Sequence, residues 1–230
     1  MSVICQICVT GFQQRYLKGD VLDIGCGQDI VCSWARPFDL AHGDAQHISK
    51  FLAPQSFDTV HSSHCLEHML DPVGALSQWW SLVRPGGYLI VVVPHEDLYE
   101  QGMWPSRFNH DHKATFRLGG QSQFSPVSHD IEALVTALPG ADLLALDVQD
   151  VGYEHHLMAR GLDASKPKPI FSLRFVRRML RAITKPSARL RKAVTVWIEN
   201  VYFHRYGIPI DQTSRDALAQ IQVIARKRMT

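Results

Sequence analysis

The chain has no uninterrupted apolar run approaching the ~20 residues that a bilayer-spanning helix needs; the longest good candidate covers only residues 89–94. The first twelve residues, MSVICQICVTGF, lack both a basic n-region and a long apolar h-region, so they do not read as a secretory signal. A cytoplasmic location is therefore expected. Cysteine is scarce and odd in number: Cys5, Cys8, Cys26, Cys32 and Cys65 show no framework spacing and are expected to stay reduced. Cys5 and Cys8 form one C-x-x-C with no second pair, whereas a structural zinc site normally takes four ligands. No metal ligand is assigned. Repeats and low-complexity tracts are also missing. With 46% hydrophobic and 20% charged residues, wholesale disorder, collagen-like repeats and a polyelectrolyte tail are excluded. A length of 230 residues suits a single domain, 1–230, carrying an insertion.

Acidic residues are missing from one stretch in particular. Residues 166–192, KPKPIFSLRFVRRMLRAITKPSARLRK, hold ten of the 24 basic residues and no acidic one, leaving 14 basic against 22 acidic elsewhere. This segment is the heart of an expected basic helical insertion over residues 163–205. Ile170, Phe171, Leu173, Phe175, Val176, Met179, Leu180 and Ile183 lie between its arginines. That mixture fits an amphipathic helix on an anionic membrane, peripheral to the inner face. It also fits a solvated appendage or a homodimer contact, while nucleic acid is the least favoured partner.

The first half alternates strand-like and helix-like segments. Residues 20–25 (DVLDIG) suit a buried parallel strand ended by glycine, and residues 57–61 a further one. Asp71 reads as an N-cap with Pro72 at the first helical position. Val73, Leu76, Trp79, Trp80 and Val83 then follow helical spacing, and residues 84–87 (RPGG) suit a tight turn. Residues 88–94 (YLIVVVP) make the strongest strand, apolar on both faces and hence central. A helix is expected over 128–138, a strand over 141–148 and a last strand over 217–225. Alternation of this kind defines an α/β sheet covered on both faces.

Ligands of such sheets bind outside the carboxyl ends of the strands near a topological switch point. Gly25-Cys26-Gly27 stands at such an end, where glycine lets the backbone approach a ligand closely. A dinucleotide fingerprint would want glycine or alanine at position 30, which holds Ile30. Asp23, two residues before Gly25, suits a cationic ligand group better than a pyrophosphate.

VLDIGCG, GDA, FDTVHSSHCLEH and LVRPGGYLIVVVP, in that order over residues 20–94, resemble the class I S-adenosylmethionine-dependent methyltransferases, in particular their small-molecule, type 11-like branch. The resemblance implies a Rossmann-like seven-stranded methyltransferase sheet with an antiparallel final strand, and S-adenosyl-L-methionine as cofactor. It places Gly25, Cys26 and Gly27 under the methionine portion and Asp23 near the ammonium group. Asp39 would accept from the ribose hydroxyls, Asp44 would take the adenine amino group and Ala45 would meet the ring. Ser62, Ser63 and His64 would line the pocket floor. Only fifteen residues separate Gly27 from Gly43, where the family has some forty, so the first half is shortened. Asp44 is then an alternative holder of the ribose.

Twelve histidines are many for 230 residues. His64, His68 and His95 follow predicted strands and are the candidate bases for methyl transfer to oxygen or nitrogen, since an imidazole with a pKa near 6.5 suits proton removal. His110-Asp111-His112 lies in a polar, aromatic loop without an anchored further ligand. In that loop Trp104, Arg107, Asn109 and His110 are candidate contacts for a small-molecule or glycan acceptor, lipid-linked if the basic segment binds membrane. Packing of Trp104 and Phe108 onto the core is the alternative. The expected activity is methyl transfer; the alternatives are a cofactor-binding regulatory domain without turnover and, disfavoured by Ile30, a nicotinamide oxidoreductase.

Overall fold

The computed structural model describes residues 6–159, 196 and 199–229. Helix α1 (Gln6–Tyr16) leads into strand β1 (Val21–Ile24), whose four residues are all buried. Three-residue β2 (Arg36–Phe38) pairs parallel to β1 on one side, and β3 (Phe57–Ser63) pairs parallel on the other. The chain thus reverses its direction of growth between β2 and β3, which makes the carboxyl ends of β1 and β3 the switch point of the sheet. Beyond β3 comes β4 (Val83–Pro94), then antiparallel β8 (Gln220–Lys227), then β7 (Ala141–Gln149), giving the order β2-β1-β3-β4-β8-β7.

Among the described residues this sheet has six strands rather than the expected seven. Fifteen residues between Gly27 and Gly43 accommodate β2 and its turns only, and the chain then enters a 3-10 turn at Ala45–Lys50 instead of another strand. A separate parallel pair, β5 (Thr115–Arg117) with β6 (Ser128–Asp130), lies beyond the end of β4. The helix expected over 128–138 is therefore shortened: Asp130 ends β6 and caps α4 (Ile131–Thr136), accepting from the amides of Glu132 and Ala133. The turn expected at 84–87 belongs to β4, where Gly86 takes φ +82 beside a register shift against β3. The last strand begins three residues later than expected.

Helix α2 (Pro72–Leu82) forms as its sequence dictates. The Asp71 carboxylate accepts from the Gly74 amide at 2.9 Å, Pro72 opens the first turn, and Ala75, Leu76, Trp79, Trp80 and Leu82 are buried. Val73, assigned to the same face, is exposed. Both indoles find acceptors, Trp79 on Ala45 O and Trp80 on Pro139 O, each at 2.9 Å, as a buried tryptophan requires. Lys227 of β8 closes the other end of α2 by donating to Trp80 O and Val83 O, a cation at a helix C-terminus. Val60, Leu89, Val91, Val93, Ile221 and Val223 fill the core between sheet and helices.

The basic segment 166–192 and Cys5 lie outside the described residues, as does most of the span 163–205. No helix among the described residues is long and apolar enough to cross a membrane.

Candidate active site

Parallel strands β1, β2, β3 and β4 end on one edge of the sheet, and antiparallel β8 begins there. That edge collects Gly25, Asp39, Ser63, His64, His95 and Gln220. Gly25 donates its amide to Phe38 O at 2.8 Å, so the glycine loop after β1 is tied to the end of β2. Gly25 and Gly27 take φ +73 and +54. Their surroundings differ. A Cβ on Gly25 would sit 2.6 Å from both Cβ and Sγ of Cys65, whereas a Cβ on Gly27 would meet nothing within 4 Å. The backbone of Gly27 therefore faces open space at the switch point, a cradle that a ligand can fill and a side chain would occupy.

Asp39 stands across this cradle. Its Oδ2 accepts from the Gly27 amide at 2.8 Å and its Oδ1 from the Leu40 amide at 2.7 Å, with the residue half-buried. Each oxygen keeps a lone pair for a vicinal diol, the chemistry the ribose needs. Asp44 lies further out. Its exposed carboxylate caps the turn Ala45–Lys50, accepting from the Gln46 amide at 2.9 Å and bonding His47 Nδ1 at 2.8 Å; His47 holds its pKa below the ordinary carboxylate value. Ala45 is half-buried, with its carbonyl taken by Trp79.

Asp23 has partners within the protein. It is 2% exposed, its Oδ1 meets His61 Nδ1 at 2.6 Å, and its Oδ2 accepts from the Val31 amide at 2.7 Å. A carboxylate so engaged holds the segment after the glycine loop down on β3, and His61 is a residue that sequence reading missed. Asp23 and His61 are partners across the β1–β3 register, a relation that only the pairing reveals. Cys26 lies between Asp23 and Asp39; burial first, and then these two charges, push its thiol pKa up. Ser62 is fully buried, because β3 is a central parallel strand covered on both faces, with Thr59, Val60 and His61 buried beside it. Only Ser63 and His64 of the expected floor reach the surface.

The three candidate bases are all tethered. His64, at φ +53, bonds Gln220 Oε1 through Nε2 at 2.8 Å and faces Glu67 Oε1 through Nδ1 at 3.5 Å. Burial would lower its pKa, but Glu67 and Gln220 outweigh that and raise it. His95 caps helix α3 (Glu96–Glu100), its Nδ1 accepting from the Asp97 amide at 3.2 Å, which uses the basic lone pair; burial lowers its pKa. His68 meets Asp111 Oδ2 through Nδ1 at 3.1 Å, leaving Nε2 3.9 Å from Glu67 Oε1.

The loop after α3 is fastened from within. Trp104 is half-buried; Arg107 is exposed and, among the described residues, reaches Met103 Sδ at 3.6 Å; Asn109 Oδ1 accepts from the Asp111 amide; His110 is exposed. Phe108 packs edge-on against Tyr99, with ring centroids 5.7 Å apart. Burial pushes the Tyr99 phenol up to about 12.

Residues 11–124 match a family described as a methyltransferase domain. Among solved structures the chain is similar to a putative methyltransferase from Bacillus halodurans (15% identity, 96% of this chain and 98% of that one, TM-score 0.50). It also aligns with an S-adenosylmethionine-dependent methyltransferase from Archaeoglobus fulgidus (16% identity, 96% and 94% covered, TM-score 0.44). No curated protein matches it in sequence. Residues 11–124 are thus similar to a methyltransferase domain, and the chain shares the Rossmann-like fold of the Bacillus halodurans structure.

The two glycines make separable predictions. Gly27→Val should weaken S-adenosylmethionine binding at least tenfold while costing about 1–2 kcal/mol of stability for its left-handed backbone. Gly25→Val should melt well below it, because its side chain must displace Cys65. Calorimetric titration alongside thermal melting separates the two effects. Normal affinity in a folded Gly27→Val protein would remove the cofactor from this loop.

Proposed function

We propose that the chain transfers the sulfonium methyl of S-adenosylmethionine to an oxygen or nitrogen of a small-molecule or glycan acceptor bound at this edge of the sheet. The observation that carries the reading is the open cradle over Gly27 with Asp39 bonded to its amide. Asp39 would hold the ribose, Asp44 and Ala45 would border the adenine, and Gly25, Cys26 and Gly27 would run under the methionine portion. The cofactor supplies an electrophilic methyl group. The protein's part is to align donor and acceptor atoms in line and exclude water between them.

The acceptor would lie between β4 and the loop carrying Trp104, Arg107, Asn109 and His110, since these residues follow the strand end that His95 terminates. Arg107 is exposed, and a guanidinium suits an anionic or sugar group. His64, His68 and His95 border the same space, but His95 has its Nδ1 lone pair committed to Asp97 N–H and His64 is held between Gln220 and Glu67. Positioning is accordingly the main contribution we assign to these two. Turnover against a panel of phenols, sugars and amines tests the reading; cofactor binding without turnover on any of them would favour the regulatory domain.

The basic segment is assigned to the surface of an anionic membrane, where each basic residue near the lipid contributes roughly 1 kcal/mol. A lipid-linked acceptor would be delivered there. The full chain should co-sediment with vesicles containing phosphatidylserine and release as salt rises, while neutral vesicles leave it in solution. Equal or no pelleting with both would leave a solvated appendage or a homodimer contact.

A further inference from the structure

Beside the proposed acceptor space is a cluster that methyl transfer does not itself require. Glu67, His68 and His112 each bring one ligand atom to within 4.8 Å of the others. They come from two segments locked together by backbone bonds, since Glu67 O accepts from both the Lys113 and the Ala114 amides, at 2.7 and 3.1 Å. Glu67 is 1% exposed, and its Oε2 has no hydrogen-bond partner. Glu100 is 2% exposed and likewise has Oε2 without one. Two buried carboxylates with idle oxygens are costly unless a cation meets them. Lys113, in the segment bonded to Glu67 O, instead bonds Asp111 at 3.1 Å on the exposed side.

The histidines are oriented as metal ligands are. His112 is buried, and its Nδ1 is held by Glu100 Oε1 at 2.9 Å, so Nε2 is its remaining ring nitrogen. His68 has Nδ1 held by Asp111 and Nε2 left on the Glu67 side. The two rings stand edge to face with centroids 5.2 Å apart. A carboxylate on the far nitrogen of each histidine fixes the tautomer and ring plane, the usual outer support of a metal-bound histidine.

We propose that Glu67, His68 and His112 bind one first-row divalent cation, with Glu100 and Asp111 as supporting carboxylates. Two imidazoles and one carboxylate suit zinc or a neighbouring transition metal rather than calcium or magnesium. Coordination at about 2.0–2.2 Å in a tetrahedron requires ligand atoms roughly 3.3 Å apart. The cluster therefore closes by up to about 1.5 Å on binding, which the partly exposed His68 side chain can supply by rotating. Three protein ligands leave one position open.

The test uses the full chain carrying Cys5→Ser and Cys8→Ser, which removes the C-x-x-C thiols as competitors for the metal. It is stripped with a chelator and titrated with Zn²⁺ against a chromophoric competitor, then with Co²⁺ to read the visible d–d bands of a four-coordinate site. One equivalent should bind with micromolar or tighter affinity. Glu67→Gln and His112→Ala should each weaken it at least a hundredfold, Glu100→Gln about ten- to a hundredfold, and His110→Ala, next in the loop but outside the cluster, should leave it unchanged. Thermal melting of the same variants reports whether they are folded, and metal affinity is read independently of turnover. No stoichiometric binding in the parent, or equal binding in parent and folded Glu67→Gln, would overturn the site. A metal-binding protein that failed to transfer methyl groups would instead count against the proposed activity alone.

Discussion

Asp39→Ala should weaken S-adenosylmethionine binding about ten- to a hundredfold, the equivalent of the 1–3 kcal/mol lost when a hydrogen-bonded partner in a buried site is left unsatisfied. Two effects act together in this variant. The carboxylate that would accept from the ribose is gone, and the Gly27 amide loses its acceptor at 2.8 Å, so the cradle itself loosens. Stability should change little, because Asp39 is half-buried in a turn rather than in the core. Asp44→Ala is the comparison. It removes an N-cap bonded to Gln46 and His47, which costs about 1 kcal/mol of stability, and weakens binding only as far as the carboxylate touches the adenine. Titration calorimetry on both variants assigns the ribose. A silent Asp39→Ala beside a severe Asp44→Ala would move that role to Asp44.

Asp23→Ala acts on a different quantity. The pair with His61 is buried on both sides, at 2% and 8% residue exposure, and the second oxygen holds the Val31 amide. Removing the carboxylate strands an imidazole and an amide in the core, a loss on the order of 3–5 kcal/mol for a buried pair. For a chain of this size each kcal/mol moves the midpoint by roughly 2–4 °C, so the melting temperature should fall by about 6–20 °C. Differential scanning calorimetry reads it. A melting temperature within a degree or two of the parent, with cofactor affinity lost, would instead put Asp23 at the ammonium group.

The contrast between Asp23 and Asp39 shows where sequence reading reached and where it stopped. Local chemistry was legible. Asp71-Pro72 announced the start of α2, the apolar run before Pro94 announced the central strand, and Gly25-Cys26-Gly27 announced the end of β1. Each of these depends on neighbours within a few residues. Relations across strands were not legible. Asp23 meets His61 from 38 positions away, and His64 meets Gln220 from 156 away. Both are set by register, which no spacing in the chain encodes. The same limit hid the Glu67–His68–His112 cluster. HDH was noticed as a motif, but the partners of His112 come from α3 and from the turn after β3, not from His110. The shortened first half was legible, since fifteen residues leave no room for a helix after the second strand, but seven strands were still expected. What the shortage did not reveal is that β2 becomes the sheet's edge.

The central claim is that the switch point over Gly27 and Asp39 holds S-adenosylmethionine. Titrating the full chain with S-adenosylmethionine and, separately, with NAD by isothermal calorimetry tests it most directly. Saturable binding of one S-adenosylmethionine per chain, with no heat from NAD, is the expected result. No binding of S-adenosylmethionine, or binding of NAD in its place, would contradict it.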